Sequence, residues 1–169
     1  AGATAIFTGS QFDNVNISKS VAIDGSIGAN ALVVNNAGGL SFSAANWTFA
    51  NWLPGDDITI NGASSGEKLV GTSQRDTING NDGGDAIYGG AANDTVSGGA
   101  GDDTIQGGAG ADTLNGGLDF DTLSYASSDL AVTVNLATNL AAGGHATGDI
   151  IAQFESLIGS GFNDVLTGT

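Results

Sequence analysis

The stretch GGAGDDTIQGGAGADTLN, residues 98–115, repeats itself after nine residues. The same period runs without insertion through six turns from residue 71 to residue 124: GTSQRDTIN, GNDGGDAIY, GGAANDTVS, GGAGDDTIQ, GGAGADTLN and GGLDFDTLS. Position six of every turn is an aspartate: Asp76, Asp85, Asp94, Asp103, Asp112 and Asp121. Position eight of every turn is aliphatic: Ile78, Ile87, Val96, Ile105, Leu114 and Leu123. Two invariant positions over six turns predict a repeat architecture.

The nonapeptide predicts a short strand and a tight turn. Three residues around position eight form the strand, whose aliphatic side chain points inward. The glycines before position six permit positive φ and a close approach of backbones. Two nonapeptides then complete one coil, and stacked coils form two short parallel sheets around a narrow aliphatic core. The fold class is therefore all-β.

Stacking of the coils predicts two columns of carboxylates. Asp76, Asp94 and Asp112 would share one edge of the roll, with the other three aspartates on the opposite edge. Carboxylates at the strand spacing of about 4.8 Å repel, and a divalent cation turns that repulsion into coordination. Several Ca²⁺ ions are favoured, because calcium accepts many oxygen ligands, whereas zinc and copper prefer His or Cys. Nine of the 18 acidic residues lie between Asp76 and Asp121, and no Lys or Arg does.

The turns GGAGDDTIQ and GGAGADTLN resemble the GGxGxDxUx nonapeptide of the RTX (repeats-in-toxin, haemolysin-type calcium-binding) family. The resemblance implies a right-handed parallel β-roll, or β-solenoid, with calcium held between successive turns. It implies two kinds of ligand, the position-six carboxylates and main-chain carbonyls at positions two and four. These carbonyls belong to Gly83, Gly90, Gly99, Gly101, Gly108 and Gly110. It also implies export by type I secretion and folding outside the cell.

Some turns depart from the pattern. In the first turn, Thr72 and Gln74 replace glycines and Arg75 brings a cation beside Asp76, which predicts a weakened site. In the last turn, Asp119 is a candidate for an extra side-chain ligand. The best-formed sites are expected at Asp85, Asp94, Asp103 and Asp112.

Three regions are predicted: a β-rich N-terminal flank or cap (1–61), the β-roll (62–124) and a β-rich C-terminal flank (125–169). The turn 62–70 places Glu67 at position six and is a candidate half-site. Residues 25–33 also fit the template, with Asn30 in the aspartate slot and Leu32 in the aliphatic slot. Residues 159–167 resume the repeat and add Asp164 to the candidate ligands.

Composition limits the function classes. With 18 Asp and Glu against 3 Lys and Arg, the surface is expected to repel nucleic acids and anionic membranes. No apolar run is long enough to insert into a bilayer, and the absence of cysteine excludes a disulfide framework. A single histidine, His145, leaves little for nucleophilic catalysis, so the chain is expected not to be an enzyme.

The leading hypothesis is a calcium-binding module that works beside neighbouring domains of a larger secreted or cell-surface bacterial protein, of which this chain is read as a fragment. Two alternatives stay open. One is an adhesin or surface-layer segment that binds glycans through the region of Trp47 and Trp52. The other is an accessory domain of a secreted hydrolase.

Overall fold

In the computed structural model, the regular structure is almost entirely β. The structure describes residues 4–8, 22–24, 31–35, 41–45, 48–50 and 56–169. The strands are β1 (Thr4–Thr8), β2 (Ala22–Asp24), β3 (Ala31–Asn35), β4 (Phe42–Ser43), β5 (Thr48–Ala50), β6 (Asp57–Asn61), β7 (Lys68–Val70), β8 (Asp76–Asp82), β9 (Ala86–Ala91), β10 (Thr95–Ala100), β11 (Thr104–Ala109), β12 (Thr113–Leu118), β13 (Thr122–Ser124), β14 (Thr133–Asn135), β15 (Leu140–Ala142), β16 (Ile150–Ala152), β17 (Ser156–Ile158) and β18 (Val165–Thr167). Single 3-10 turns cover Leu136–Thr138 and Gly144–Ala146. Within this part of the chain, no helix has the length and apolar character needed to span a bilayer.

Two parallel sheets form the body of the protein. One has the strand order β1-β3-β6-β8-β10-β12-β16, and the other has the order β17-β13-β11-β9-β7-β4. Because successive strands of the roll alternate between the two sheets, the chain winds as a coil. The predicted all-β parallel roll with two sheets is confirmed.

The nine-residue period sets the register of both sheets. Thr95 pairs with Thr77 on one side and with Thr113 on the other, in the first sheet. In the second sheet, Thr104 pairs with Ala86 and Thr122 in the same way. Each coil therefore takes two nonapeptides, and equivalent positions of alternate turns lie one above another.

The core of the roll is a double file of aliphatic side chains. All six position-eight residues are at most 1% exposed, and the residues beside them in the strands are less buried. Each strand of the repeats contributes one large apolar side chain to this core. A core this narrow provides less apolar burial than an ordinary domain does, so the turns must also contribute to stability.

The central strands are longer than the sequence suggests. The expected length of three residues is wrong for β8 to β12, which have six or seven residues. Ser97 pairs with Asn115, and beyond Gly98 the ladder resumes with Gly99 paired to Gly117. Identical turns stacked on one another keep their peptide groups within pairing distance, so turn residues also join the ladder.

The N-terminal flank continues both sheets of the roll. β6 pairs with β8 and places Ile60 beside Ile78, and β3 in turn places Val34 beside Ile60. The expectation that Leu32 fills the aliphatic slot is wrong, because Val34 occupies that row. Leu32 pairs with Ile58, which pairs with Asp76, so aliphatic residues replace the aspartate in these coils. Asn30, Trp47 and Trp52 lie outside the described residues.

The C-terminal flank leaves the roll in β14 and β15, returns to add one strand to each sheet, and leaves again at β18. β16 pairs with β12, and β17 pairs with β13. β14, β15 and β18 form a third sheet, in which β18 runs parallel to β14. The resumed repeat at 159–167 therefore stacks on the flank and not on the two sheets of the roll.

Candidate metal centres

The position-six aspartates form the two columns that the sequence predicts. Each of the six residues is between 0% and 3% exposed. In the first column, the N–H of Asp76 donates to Oδ1 of Asp94 (2.9 Å), and the N–H of Asp94 donates to Oδ1 of Asp112 (2.9 Å). The second column repeats the contact from Asp85 to Asp103 (2.7 Å) and from Asp103 to Asp121 (2.9 Å). One carboxylate oxygen of each acceptor thus connects its coil to the preceding coil: Asp94, Asp103, Asp112 and Asp121.

Acidic residues of the flanks extend both columns. The N–H of Asp112 donates to Asp149 (2.8 Å), and the N–H of Asp121 donates to Glu155 (2.9 Å). At the other end, the N–H of Glu67 donates to Asp85 (2.8 Å). Glu67 was predicted at position six from the sequence, whereas Asp149 and Glu155 were not predicted. The recurrence of acid, any residue, aliphatic in Asp149-Ile-Ile and Glu155-Ser-Leu could have found them.

The second carboxylate oxygen, Oδ2, distinguishes five of these six aspartates from Asp76. Oδ2 is buried without a hydrogen-bond partner in Asp85, Asp94, Asp103, Asp112 and Asp121. A buried anionic oxygen without a partner lowers the stability of the fold by a desolvation penalty on the order of 1–3 kcal/mol or more. In each of these turns, a side chain at the position-one glycine would overlap that oxygen, so the glycine keeps a space open beside it.

Burial also raises the pKa values of these carboxyl groups. Desolvation, together with the charges of Asp76 and Asp112, raises the pKa of Asp94 to about 9, against the opposing hydrogen bond from the N–H of Asp76. Burial raises the pKa of Asp76 to about 7 and that of Asp103 to about 6. The pKa values of the other three are raised by burial as well: Asp85, Asp112 and Asp121. A cation bound at these oxygens would lower the pKa values again, because its positive charge stabilises the ionised carboxylates.

The glycines whose carbonyls the resemblance names as ligands share one backbone conformation. All six glycines named for their carbonyls have positive φ: Gly83, Gly90, Gly99, Gly101, Gly108 and Gly110. In the described part of the chain, no three acidic, His or Cys side chains converge as a metal cluster. Any cation in a turn must therefore combine its carboxylate with main-chain oxygens. This all-oxygen donor set fits calcium, which accepts carbonyls and carboxylates in flexible geometry.

Substitution of Gly99 by alanine is expected to destabilise the roll by at least about 2 kcal/mol. Gly99 has a φ of 120°, and an added Cβ would overlap the carbonyl oxygen of Asn81 in the neighbouring turn. The measurement is denaturant unfolding in saturating calcium. Gly161→Ala is the control, because nothing lies within 4 Å of its Cβ position, and a change below about 0.5 kcal/mol is expected there. Equal losses in the two variants would contradict the close approach of the turns.

Three residues singled out from the sequence have other contacts. Arg75 forms an exposed ion pair with Asp57. Asp119 is exposed, and its Oδ2 accepts from the N–H of Gly101 (3.2 Å). Asp164 accepts from Ser160 and from the N–H of Val132, and these hydrogen bonds hold its pKa below the usual range.

The fold and the two columns define a class of protein: a parallel β-roll whose turns combine buried carboxylates with backbone positions of positive φ. The family described as RTX calcium-binding nonapeptide repeat (4 copies) matches residues 61–96 and 88–123. Residues 61–123 are therefore RTX repeats, and the roll they form is a calcium-binding β-roll module. No curated protein matches the chain.

Proposed function

We propose that the chain is a calcium-dependent folding module of a larger bacterial protein, which orders its roll when calcium binds outside the cell. The observation that carries this proposal is the set of five buried Oδ2 atoms without a partner, arranged in two columns. The metal-free fold must hide these oxygens from water and leave them unpaired. A calcium ion bound to each turn removes that penalty.

Linkage makes the stability of the roll depend on free calcium. Each ion that binds only the folded chain contributes RT ln(1 + [L]/Kd), which is about 2.7 kcal/mol at a hundredfold excess over Kd. Extracellular calcium modules bind in the range of about 10⁻⁴–10⁻³ M, far above cytosolic calcium. The module would stay unfolded during synthesis and fold after export. This agrees with the typical occurrence of RTX repeats in secreted bacterial proteins.

The proposed role is non-catalytic. The chain has one histidine and no cysteine, and the position-six aspartates of the roll have a structural explanation as column members and candidate calcium ligands. The expected partners are calcium ions and the neighbouring domains of the parent protein.

Removal of calcium is expected to abolish most of the β-structure of residues 62–124. The measurement is far-ultraviolet circular dichroism during a calcium titration from an EGTA-treated sample, with magnesium at equal concentration as the control. A cooperative transition in calcium and none in magnesium is expected, because magnesium requires stricter octahedral geometry and keeps its waters. An unchanged spectrum in excess EGTA would refute calcium-dependent folding.

A further inference from the structure

The nonapeptide turns fall into two groups that differ in how the position-six carboxylate is satisfied. In five turns, its second oxygen has no partner: 80–88, 89–97, 98–106, 107–115 and 116–124. In three turns, the same chain segment supplies the partner: 62–70, 71–79 and 159–167. We call the first group open turns and the second group closed turns.

In each closed turn, the donor is the backbone N–H at position two. The N–H of Thr72 donates to Oδ2 of Asp76 (2.6 Å), and that of Ser160 donates to Oδ2 of Asp164 (2.8 Å). The N–H of Ala63 donates to Oε1 of Glu67 (2.5 Å). The hydroxyl groups of Thr72 and Ser160 add further bonds of 2.6–3.2 Å to the same carboxylates. The turn thereby occupies the oxygen that a cation would need.

The backbone conformation at positions two and four follows the same division. In all five open turns, both positions have positive φ, from 73° at Ala92 to 148° at Gly110. Among the described residues, no positive φ occurs at either position of the three closed turns. Rotation about N–Cα at position two sets the direction of its N–H relative to the rest of the turn. A positive φ therefore goes with an N–H that does not reach the carboxylate.

Residue type explains which conformation each turn adopts. Position two is Asn81 or glycine in the open turns, and glycine and asparagine tolerate positive φ at low cost. Position two is Ala63, Thr72 or Ser160 in the closed turns. A β-branched residue such as threonine is a strong outlier at positive φ. The sequence at position two is thus sufficient to separate the two groups in this chain.

We propose that position two is a switch that decides whether a nonapeptide turn binds calcium, and that the three closed turns bind none through their own carboxylates. Asp76, Glu67 and Asp164 are then structural residues, although the aspartates match the family pattern at position six. This inference rests on the proposed calcium binding by the open turns. Among the nonapeptides that the structure describes, it predicts five turns that bind calcium, whereas an acid at position six alone would count eight.

Two of the closed turns, 62–70 and 71–79, lie at the N-terminal ends of the two columns, whereas turn 159–167 stacks on the C-terminal flank. Asp76 precedes Asp94 in the first column, and Glu67 precedes Asp85 in the second. At the far end of the first column, Asp149 is also satisfied internally, because the hydroxyl of Tyr125 donates to its Oδ2 (2.8 Å). At these three column ends, a hydrogen bond from the chain itself satisfies the second carboxylate oxygen, whereas in the open turns that oxygen has no such partner.

The test converts a closed turn into an open one. The double variant Thr72→Gly, Gln74→Gly changes turn 71–79 from GTSQRD to GGSGRD and removes the hydroxyl donor. We expect one additional calcium ion per chain, measured by equilibrium dialysis with ⁴⁵Ca and by titration calorimetry. Ser73→Gly is the matched control, because it adds a glycine to the same turn at an exposed site and leaves positions two and four unchanged. It is expected to bind the same number of ions as the unaltered protein.

A second variant keeps the inference testable if the first does not fold. Asp164→Asn is expected to leave the calcium stoichiometry unchanged, whereas Asp103→Asn, in an open turn, is expected to reduce it by one. Loss of an ion in Asp164→Asn, or no gain in a folded Thr72→Gly, Gln74→Gly variant, would overturn the switch. Absence of calcium binding by the unaltered protein would instead refute the proposed function, so the two failures are distinguishable.

Discussion

Asp85→Asn is expected to raise the calcium concentration at the midpoint of ordering roughly tenfold. Asparagine can still accept the hydrogen bond from the N–H of Glu67 through Oδ1, so the contact between coils is kept. The change acts at Oδ2, which is buried without a partner in the unaltered protein and is replaced by an uncharged NH2 group in the variant. Removal of one anionic ligand weakens the affinity of the turn for calcium. The measurement is circular dichroism over a calcium titration.

In EGTA, the effect of the same substitution is expected to change sign. Without calcium, a buried carboxylate destabilises the fold, and the neutral amide removes that charge, so the variant should be at least as ordered as the unaltered protein. Asp82→Asn is the matched control, because Asp82 is exposed in the same turn and the substitution removes the same charge. If Asp82→Asn shifted the calcium midpoint as far as Asp85→Asn, the effect would come from net charge and not from the buried oxygen.

Acidification is expected to restore β-structure to the calcium-free protein. Burial raises the pKa of Asp103 to about 6, of Asp76 to about 7 and of Asp94 to about 9, from an ordinary value of 3.8. A carboxyl group whose pKa is higher in the folded state binds more protons there. Its contribution to stability is complete below about pH 4 and is lost as the pH rises through about 6 to 9. The metal-free roll should therefore be more ordered at pH 5.5 than at pH 8.

The measurement is circular dichroism in a metal-free buffer with a chelator that stays effective over this range of pH. Saturating calcium serves as the control, because bound calcium holds the carboxylates deprotonated and should flatten the dependence on pH. A metal-free protein that lost order on acidification would show that the buried carboxyl groups do not limit its stability.

The repeat predicts the roll and its columns well, for a physical reason. Asp103 and Ile105 lie in a strict period, and one period fixes both the register of the sheets and the direction of each side chain. The carboxylate columns follow from that register alone. No information beyond local spacing is needed, because each coil contacts only its neighbours.

Where the period breaks, prediction from spacing fails. Leu32 was placed in the wrong row, because the connection from β3 to β6 is longer than one coil and the shift of register is not visible in the template. Asp149 and Glu155 were missed because an excursion of the flank separates them from Asp112 and Asp121, and only the folded chain brings them into the columns. The division between open and closed turns was also missed: position two separates the groups, but only the structure shows that its N–H reaches the carboxylate in the closed turns.

The contact between successive aspartates gives the roll a chemical direction, so that its two ends differ. In every pair, the N–H of the earlier coil donates and the carboxylate of the later coil accepts. A cut between two coils would therefore leave unlike ends, with donors lacking acceptors on the N-terminal piece and acceptors lacking donors on the C-terminal piece. Two such pieces could rejoin in only one orientation, which makes head-to-tail stacking the natural geometry for any contact between ends of this roll.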